Sequence, residues 1–105
     1  MALKNYTVKN GEWKKISAKG ENGSAWVKES YKGNAPSIIV AHTKKTQSPV
    51  DDIPYAQADD LDIEVSYCLI SCDPPALLEA DSPNDIYYAT TLKKDAEMEL
   101  TTDFV

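Results

Sequence analysis

The sequence predicts an all-β protein: a single antiparallel β-sandwich, jelly-roll-like, of about seven or eight short strands spread over residues 1–105. Three observations predict it. The pairs Asn10-Gly11, Asn22-Gly23 and Gly33-Asn34 recur 11 to 12 residues apart, and such pairs supply the positive φ angles that two-residue turns demand. Residues 61–69 alternate strictly, with Leu61, Ile63, Val65, Tyr67 and Leu69 on one side and Asp62, Glu64 and Ser66 on the other. The chain ends on the same pattern, Met98, Leu100, Thr102 and Phe104 opposing Glu97, Glu99, Thr101 and Asp103.

The turn pairs divide the first forty or so residues into candidate strands at 3–9, 12–17, 25–31 and, after Pro36, 37–43. These runs are rich in Trp, Val, Ile and Tyr and too short for stable helices, so an antiparallel meander is expected. Within it, residues 19–27 read as a hairpin with Asn22-Gly23 at its tip and Trp26 opening the return strand. A phosphate loop is excluded, because Gly20 and Gly23 run into Trp26 and Val27 rather than into a Gly-Lys-Ser/Thr helix start.

Residues 44–60 break the pattern with Pro49, Pro54 and the pair Asp51-Asp52, and read as a long surface loop. The strand at 61–69 is expected to end by Asp73-Pro74-Pro75, since consecutive prolines cannot serve an interior ladder. Alternation resumes in Ile86, Tyr88, Thr90 and Leu92, with turns at residues 81–85 and at Lys93-Lys94-Asp95. Strands with one polar face each bury their apolar sides by packing two sheets together. The expected core is Trp13, Trp26, Ile38, Val40, Ile63, Val65, Tyr67, Ile86, Tyr88, Leu100 and Phe104.

A chain of 105 residues makes one domain that buries roughly 65% of its unfolded surface, so neither metal nor disulfide is needed to fold it. No apolar h-region follows Lys4 and Lys9, and no run reaches membrane-spanning length, so a soluble product with no membrane partner is expected. Cys68 and Cys72 match neither a zinc pair nor a redox motif, and on a regular strand they stand too far apart to bridge, so both are expected to be thiols. The formal charge is -6, unevenly placed: residues 1–50 hold nine lysines against Glu12, Glu21 and Glu29, and residues 51–105 hold fourteen carboxylates against Lys93 and Lys94. An acidic chain without arginine lacks the bidentate fork of phosphate recognition, which argues against a nucleic-acid partner.

No constellation in the sequence specifies catalysis. His42, the single histidine, closes an apolar run, and neither Ser24 nor Ser37 lies in a nucleophile-elbow context that would recruit it. Asp51, Asp52, Asp59, Asp60 and Asp62 offer oxygen ligands but lack the glycine-turned spacing of a calcium loop, so no metal and no cofactor are expected.

The segment Ala80-Asp81-Ser82-Pro83-Asn84-Asp85-Ile86-Tyr87-Tyr88-Ala89, with the closing Met98-Glu99-Leu100-Thr101-Thr102-Asp103-Phe104-Val105, resembles the ends of small β-sandwich virion proteins of tailed bacteriophages. Trp13-Lys14-Lys15-Ile16 and Gly23-Ser24-Ala25-Trp26-Val27 are similar in flavour. The resemblance implies a non-enzymatic capsid decoration or head–tail accessory protein, assembled into virions in the host cytoplasm and bound to the shell in many copies. A capsid or other virion protein is then the expected partner, with homo-oligomerisation. Under this reading the partner-binding candidates are Val50, Asp51, Asp52, Ile53 and Tyr55 of the excursion, with Lys14 and Lys15 meeting the aspartates of a neighbouring copy. The alternative is a soluble β-sandwich binding module for a carbohydrate or a host protein, as in a tail or fibre accessory protein.

Overall fold

The computed structural model describes residues 3–27, 38–43, 52–58, 63–69, 75–80 and 82–105, and the fold is all-β. Nine strands are seen among these residues: β1 (Leu3–Lys9), β2 (Glu12–Lys15), β3 (Gly23–Val27), β4 (Ile38–Thr43), β5 (Asp52–Pro54), β6 (Glu64–Leu69), β7 (Ala76–Leu78), β8 (Ile86–Thr91) and β9 (Glu97–Phe104). One helical turn, α1 (Tyr55–Ala58), follows β5. The strands form two antiparallel sheets, ordered β1-β9-β3-β7 and β5-β2-β8-β4-β6.

No two strands consecutive in the chain pair with each other among those described. With β5 set aside, the orders β1-β9-β3-β7 and β2-β8-β4-β6 are those of a jelly roll, two interlocked Greek keys in which nearly every connection changes sheet. The expected meander is therefore corrected. Asn10-Gly11 does turn the chain, with Gly11 at φ 99°, but it carries β1 of one sheet into β2 of the other. A positive-φ pair signals a reversal and says nothing about which strand will be the partner.

Residues 19–27 are likewise no hairpin. Gly20, at φ 69°, donates its N–H to the Asp85 carbonyl at 2.8 Å, which lashes the corner to the start of β8. Gly23 already lies in the β3 ladder, opposite both Phe104 and Leu78. Its glycine is needed for space rather than for φ, since a Cβ there would stand 2.0 Å from the Asp103 carbonyl oxygen. The outermost step of this ladder is closed by Asn22 and Val105, which exchange N–H···O bonds of 3.1 and 3.0 Å.

The main core lies between the sheets. Val8, Met98, Leu100, Val27 and Phe104 from the four-stranded sheet meet Ile16, Ile38, Val40, Tyr87 and Ala89 from the other. Phe104 stacks on Tyr87 at 5.9 Å, and the Tyr87 hydroxyl donates to the Glu79 carbonyl at 2.7 Å, so its polar tip is satisfied where its ring is buried.

A second, smaller cluster sits on the opposite face of the five-stranded sheet, where Ile53, Ile86 and Tyr88 pack with Trp13 and Ile63. All six residues of β8 are consequently buried. Ile86 and Tyr88, expected in the core, are buried, but on the outer face of the sheet: Tyr87 and Ala89 face the core between the sheets, and Leu92, at the end of the same predicted alternation, is 67% exposed. A strand covered on both faces has no polar side, so alternation cannot tell its faces apart. Val65 is also corrected, being 65% exposed. The β4–β6 ladder shifts register between Val40 and Ala41, which face Tyr67 and Val65, so Ser66 is an extra residue and the faces exchange across it. Trp26, opposite Thr101 on the outer face of the four-stranded sheet, is half-buried rather than core. Leu61 lies outside the described residues.

Replacing Gly23 by Ala is expected to cost about 2–3 kcal/mol, because the clashing atoms are backbone and cannot rotate away. Urea unfolding of the purified protein measures it, and Gly11→Ala, whose Cβ meets nothing within 4 Å, separates the packing effect from strain due to positive φ alone.

Candidate functional site

The excursion between β4 and β6, taken from the sequence as a loop reaching outward, is in its described part built into the fold. Asp52–Pro54 forms β5, which pairs with β2 so that Trp13 faces Ile53 and Lys14 faces Asp52. Ile53 is only 4% exposed, in the outer cluster with Tyr88 and Ile86. Tyr55 lies edge-on to Trp13 at 6.3 Å, and its hydroxyl bonds to Thr90 Oγ1 at 2.6 Å and to the Thr91 carbonyl at 3.1 Å. Its N–H donates to the Gly11 carbonyl at 3.1 Å. These apolar residues, expected to reach a partner, instead cover β8 from outside, because the apolar outer face of β8 would otherwise meet water. Val50 and Asp51 lie outside the described residues.

Lys14 and Lys15 are separated by the pleat. Lys14 pairs with Ala89 on the core-facing side and Lys15 with Tyr88 on the other. Lys14 Nζ lies 3.2 Å from Asp52 Oδ1, so the contact expected between copies is made within one chain. Lys9 and Glu97 make a second, more exposed pair at 3.7 Å. In both, the basic half of the sequence meets the acidic half through strand pairing. Exposed pairs of this kind contribute about 0–1 kcal/mol each.

A contact that sequence reasoning missed joins Ser66, His42 and Glu64. Ser66 Oγ shares a hydrogen bond of 2.5 Å with His42 Nδ1, and His42 Nε2 lies 3.5 Å from Glu64 Oε2. Glu64 faces His42 in the ladder and the bulge re-aims Ser66 beside it. Only the pairing of β4 with β6 reveals this; the i, i+2 spacing of Glu64 and Ser66 carries no signal of its own. The order of burial opposes acyl transfer, where the hydroxyl meets substrate and the carboxylate is shielded. Here the Glu64 side chain is 79% exposed and that of His42 17%. The His42 ring also lies 5.7 Å from that of Tyr87, so the trio fastens the β6 edge to the sheet. Ser24, considered from the sequence as a partner of His42, lies in the other sheet. Cys68 is an exposed free thiol on β6, and Cys72 lies outside the described residues.

Among the described residues, clefts open on opposite edges of the four-stranded sheet. The first, of about 400 Å³, lies between β1 and β2 and is bordered by Lys4, Tyr6, Lys14, Ser17, Glu21 and Phe104, among others. Glu21 is held there by the Ala18 N–H, which donates to Oε1 at 2.6 Å. The second, of about 490 Å³, is shallower and lies along the β7 edge, between Leu77, Glu79, Asp103 and Val105. Residues 102 and 104 of β9 serve the first cleft and 103 and 105 the second, since alternate side chains leave the strand on opposite faces. Among the described residues no group of three or more His, Cys, Asp or Glu could hold a metal ion.

No known protein family, no curated protein and no solved structure matches this chain.

Ile53→Ala is expected to destabilise the isolated protein by about 2–4 kcal/mol, as for other buried Ile truncations. Chemical denaturation checks it, and a change within 0.5 kcal/mol or so would return β5 to the role of a detachable arm.

Proposed function

We propose that this chain is a non-enzymatic structural component of a tailed-bacteriophage virion, a decoration protein that binds the capsid shell in many copies. It would act in the assembled particle, built in the host cytoplasm, and as an oligomer. The observation that carries this reading is the β7 edge, whose outer side pairs with no other strand among the described residues. Strand β7 is three residues long, pairs on one side with β3, and presents Leu77, 72% exposed, next to Val105, 75% exposed. Water-facing leucine and valine beside unpaired strand backbone are costly to leave free and suited to being covered. Glu79 and Asp103 border the same depression, so the complementary surface is an apolar patch of shell protein with a basic rim. The likeness of residues 80–89 and 98–105 to virion proteins supports the choice of partner.

The soluble binding module remains as a second reading, favoured by the separate lysine-bordered cleft between β1 and β2.

The test is to mix the purified protein with capsid shells of its source and to image the particles. Density repeated on the lattice at a fixed ratio to the shell subunits is the expected result, and its absence overturns the proposal. Leu77→Asp should lower shell occupancy at least about tenfold while leaving the urea midpoint unchanged, because the side chain is mostly in water before binding.

A further inference from the structure

The cleft at the β1–β2 edge serves neither the packing of the core nor the β7 surface, and its lining combines three chemistries. Lysines line it from both sheets, Lys4 from one and Lys14 and Lys15 from the other. Lys4 shares the inner face of its sheet with Thr102, and Lys14 shares that of the other sheet with Ala89. Lys14 is engaged by Asp52 at 3.2 Å, whereas Lys4 makes no ion pair among the described residues. The aromatic component is Tyr6, which packs against the core with part of its ring still open to the cleft. The third is an acceptor, Glu21, one of whose carboxylate oxygens takes the Ala18 N–H and leaves the other for a ligand.

We propose that this cleft binds a single sugar ring bearing an anionic group, a hexuronate or a hexose phosphate. A bare inorganic anion would need donors alone, and Glu21 beside the lysines would repel it. A neutral apolar ligand would leave Lys4 and Glu21 without partners as they lost water. A polyhydroxylated ring needs donors and acceptors together: its hydroxyls donate to Glu21 and its anionic group accepts from Lys4 and Lys14. The C–H face of such a ring packs on an aromatic surface such as Tyr6. A volume of about 400 Å³ suits one such unit with its bridging water. The proposal is independent of shell binding, because the two clefts lie on opposite edges of the sheet.

Titration of the ¹⁵N-labelled protein with glucuronate, glucose 6-phosphate, glucose and inorganic phosphate tests it. At least one acidic sugar should shift the amides of Tyr6, Lys14 and residues 17–21, and bind at least about tenfold more tightly than glucose or inorganic phosphate. Which acidic sugar binds separates a carboxylate from a phosphate ligand. Lys4→Gln, at an exposed position with no ion pair among the described residues, should weaken binding about tenfold with the spectrum otherwise intact. Glu21→Gln should weaken the acidic sugar and strengthen inorganic phosphate. The proposal is overturned if neither acidic sugar binds, if glucose or phosphate binds equally well, or if Lys4→Gln changes nothing. Leu77→Asp should leave sugar binding intact and Lys4→Gln should leave shell binding intact, so either proposal fails without the other.

Discussion

Everything else in this fold is arranged around the burial of β8 on both of its faces. Six consecutive side chains, from Ile86 to Thr91, lose their water. On one face Tyr87 and Ala89 join the core between the sheets, and on the other Ile86 and Tyr88 need a cover. Each large apolar side chain so buried contributes roughly 1.5–3 kcal/mol. The polar groups carried in with them must find partners, and most do. Tyr87 N–H donates to Ser17 Oγ at 2.9 Å, and the Thr90 hydroxyl meets that of Tyr55. Among the described residues, Thr91 Oγ1 is buried with no such partner.

The β5–α1 insert follows from that need. Its three-residue strand adds little ladder, and four helical residues are far below the length that is stable alone. What holds it are Ile53 and Tyr55 against the outer face of β8, the Lys14–Asp52 pair, and the bond from Tyr55 N–H to the Gly11 carbonyl. The insert turns a two-layer sandwich into one partly covered by a third layer on that side. Among the described residues, the two clefts lie along the other sheet, at its β1 and β7 edges.

Edges in a jelly roll present unpaired backbone, and this chain treats them unequally. Strand β1 carries Lys4 and Lys9, charges that discourage a second strand from joining. The β6 edge is fastened through Glu64, His42 and Ser66. Among the described residues the β7 edge has neither device along its short length, and it exposes Leu77. Opposite charge on the two sequence halves meets inside the chain at Lys9–Glu97 and Lys14–Asp52, because β1 pairs with β9 and β2 with β5.

By itself the sequence determined the class: two-residue periodicity at 97–104, the Asn-Gly turn at 10–11 and the turns near 82–84 and 93–95 are local properties, and each is present in the structure. Ile38, Val40, Leu100 and Phe104 were legible as core for the same reason, because a strand with one polar face declares which side is buried. Tertiary structure decided what local pattern cannot encode. It chose partners for the turns, sending Asn10-Gly11 across sheets instead of into a hairpin. It placed Ile86 and Tyr88 on the outer face of β8, where apolar residues on both sides erased the periodic signal. It inserted Ser66 as a bulge and so brought a hydroxyl to His42, and it drew Lys4 and Lys14, ten residues apart in the chain, to the two walls of one cleft. Side-chain alternation is fixed by the backbone of a single strand, whereas register, sheet order and double-sided burial are fixed by which distant strand arrives beside it.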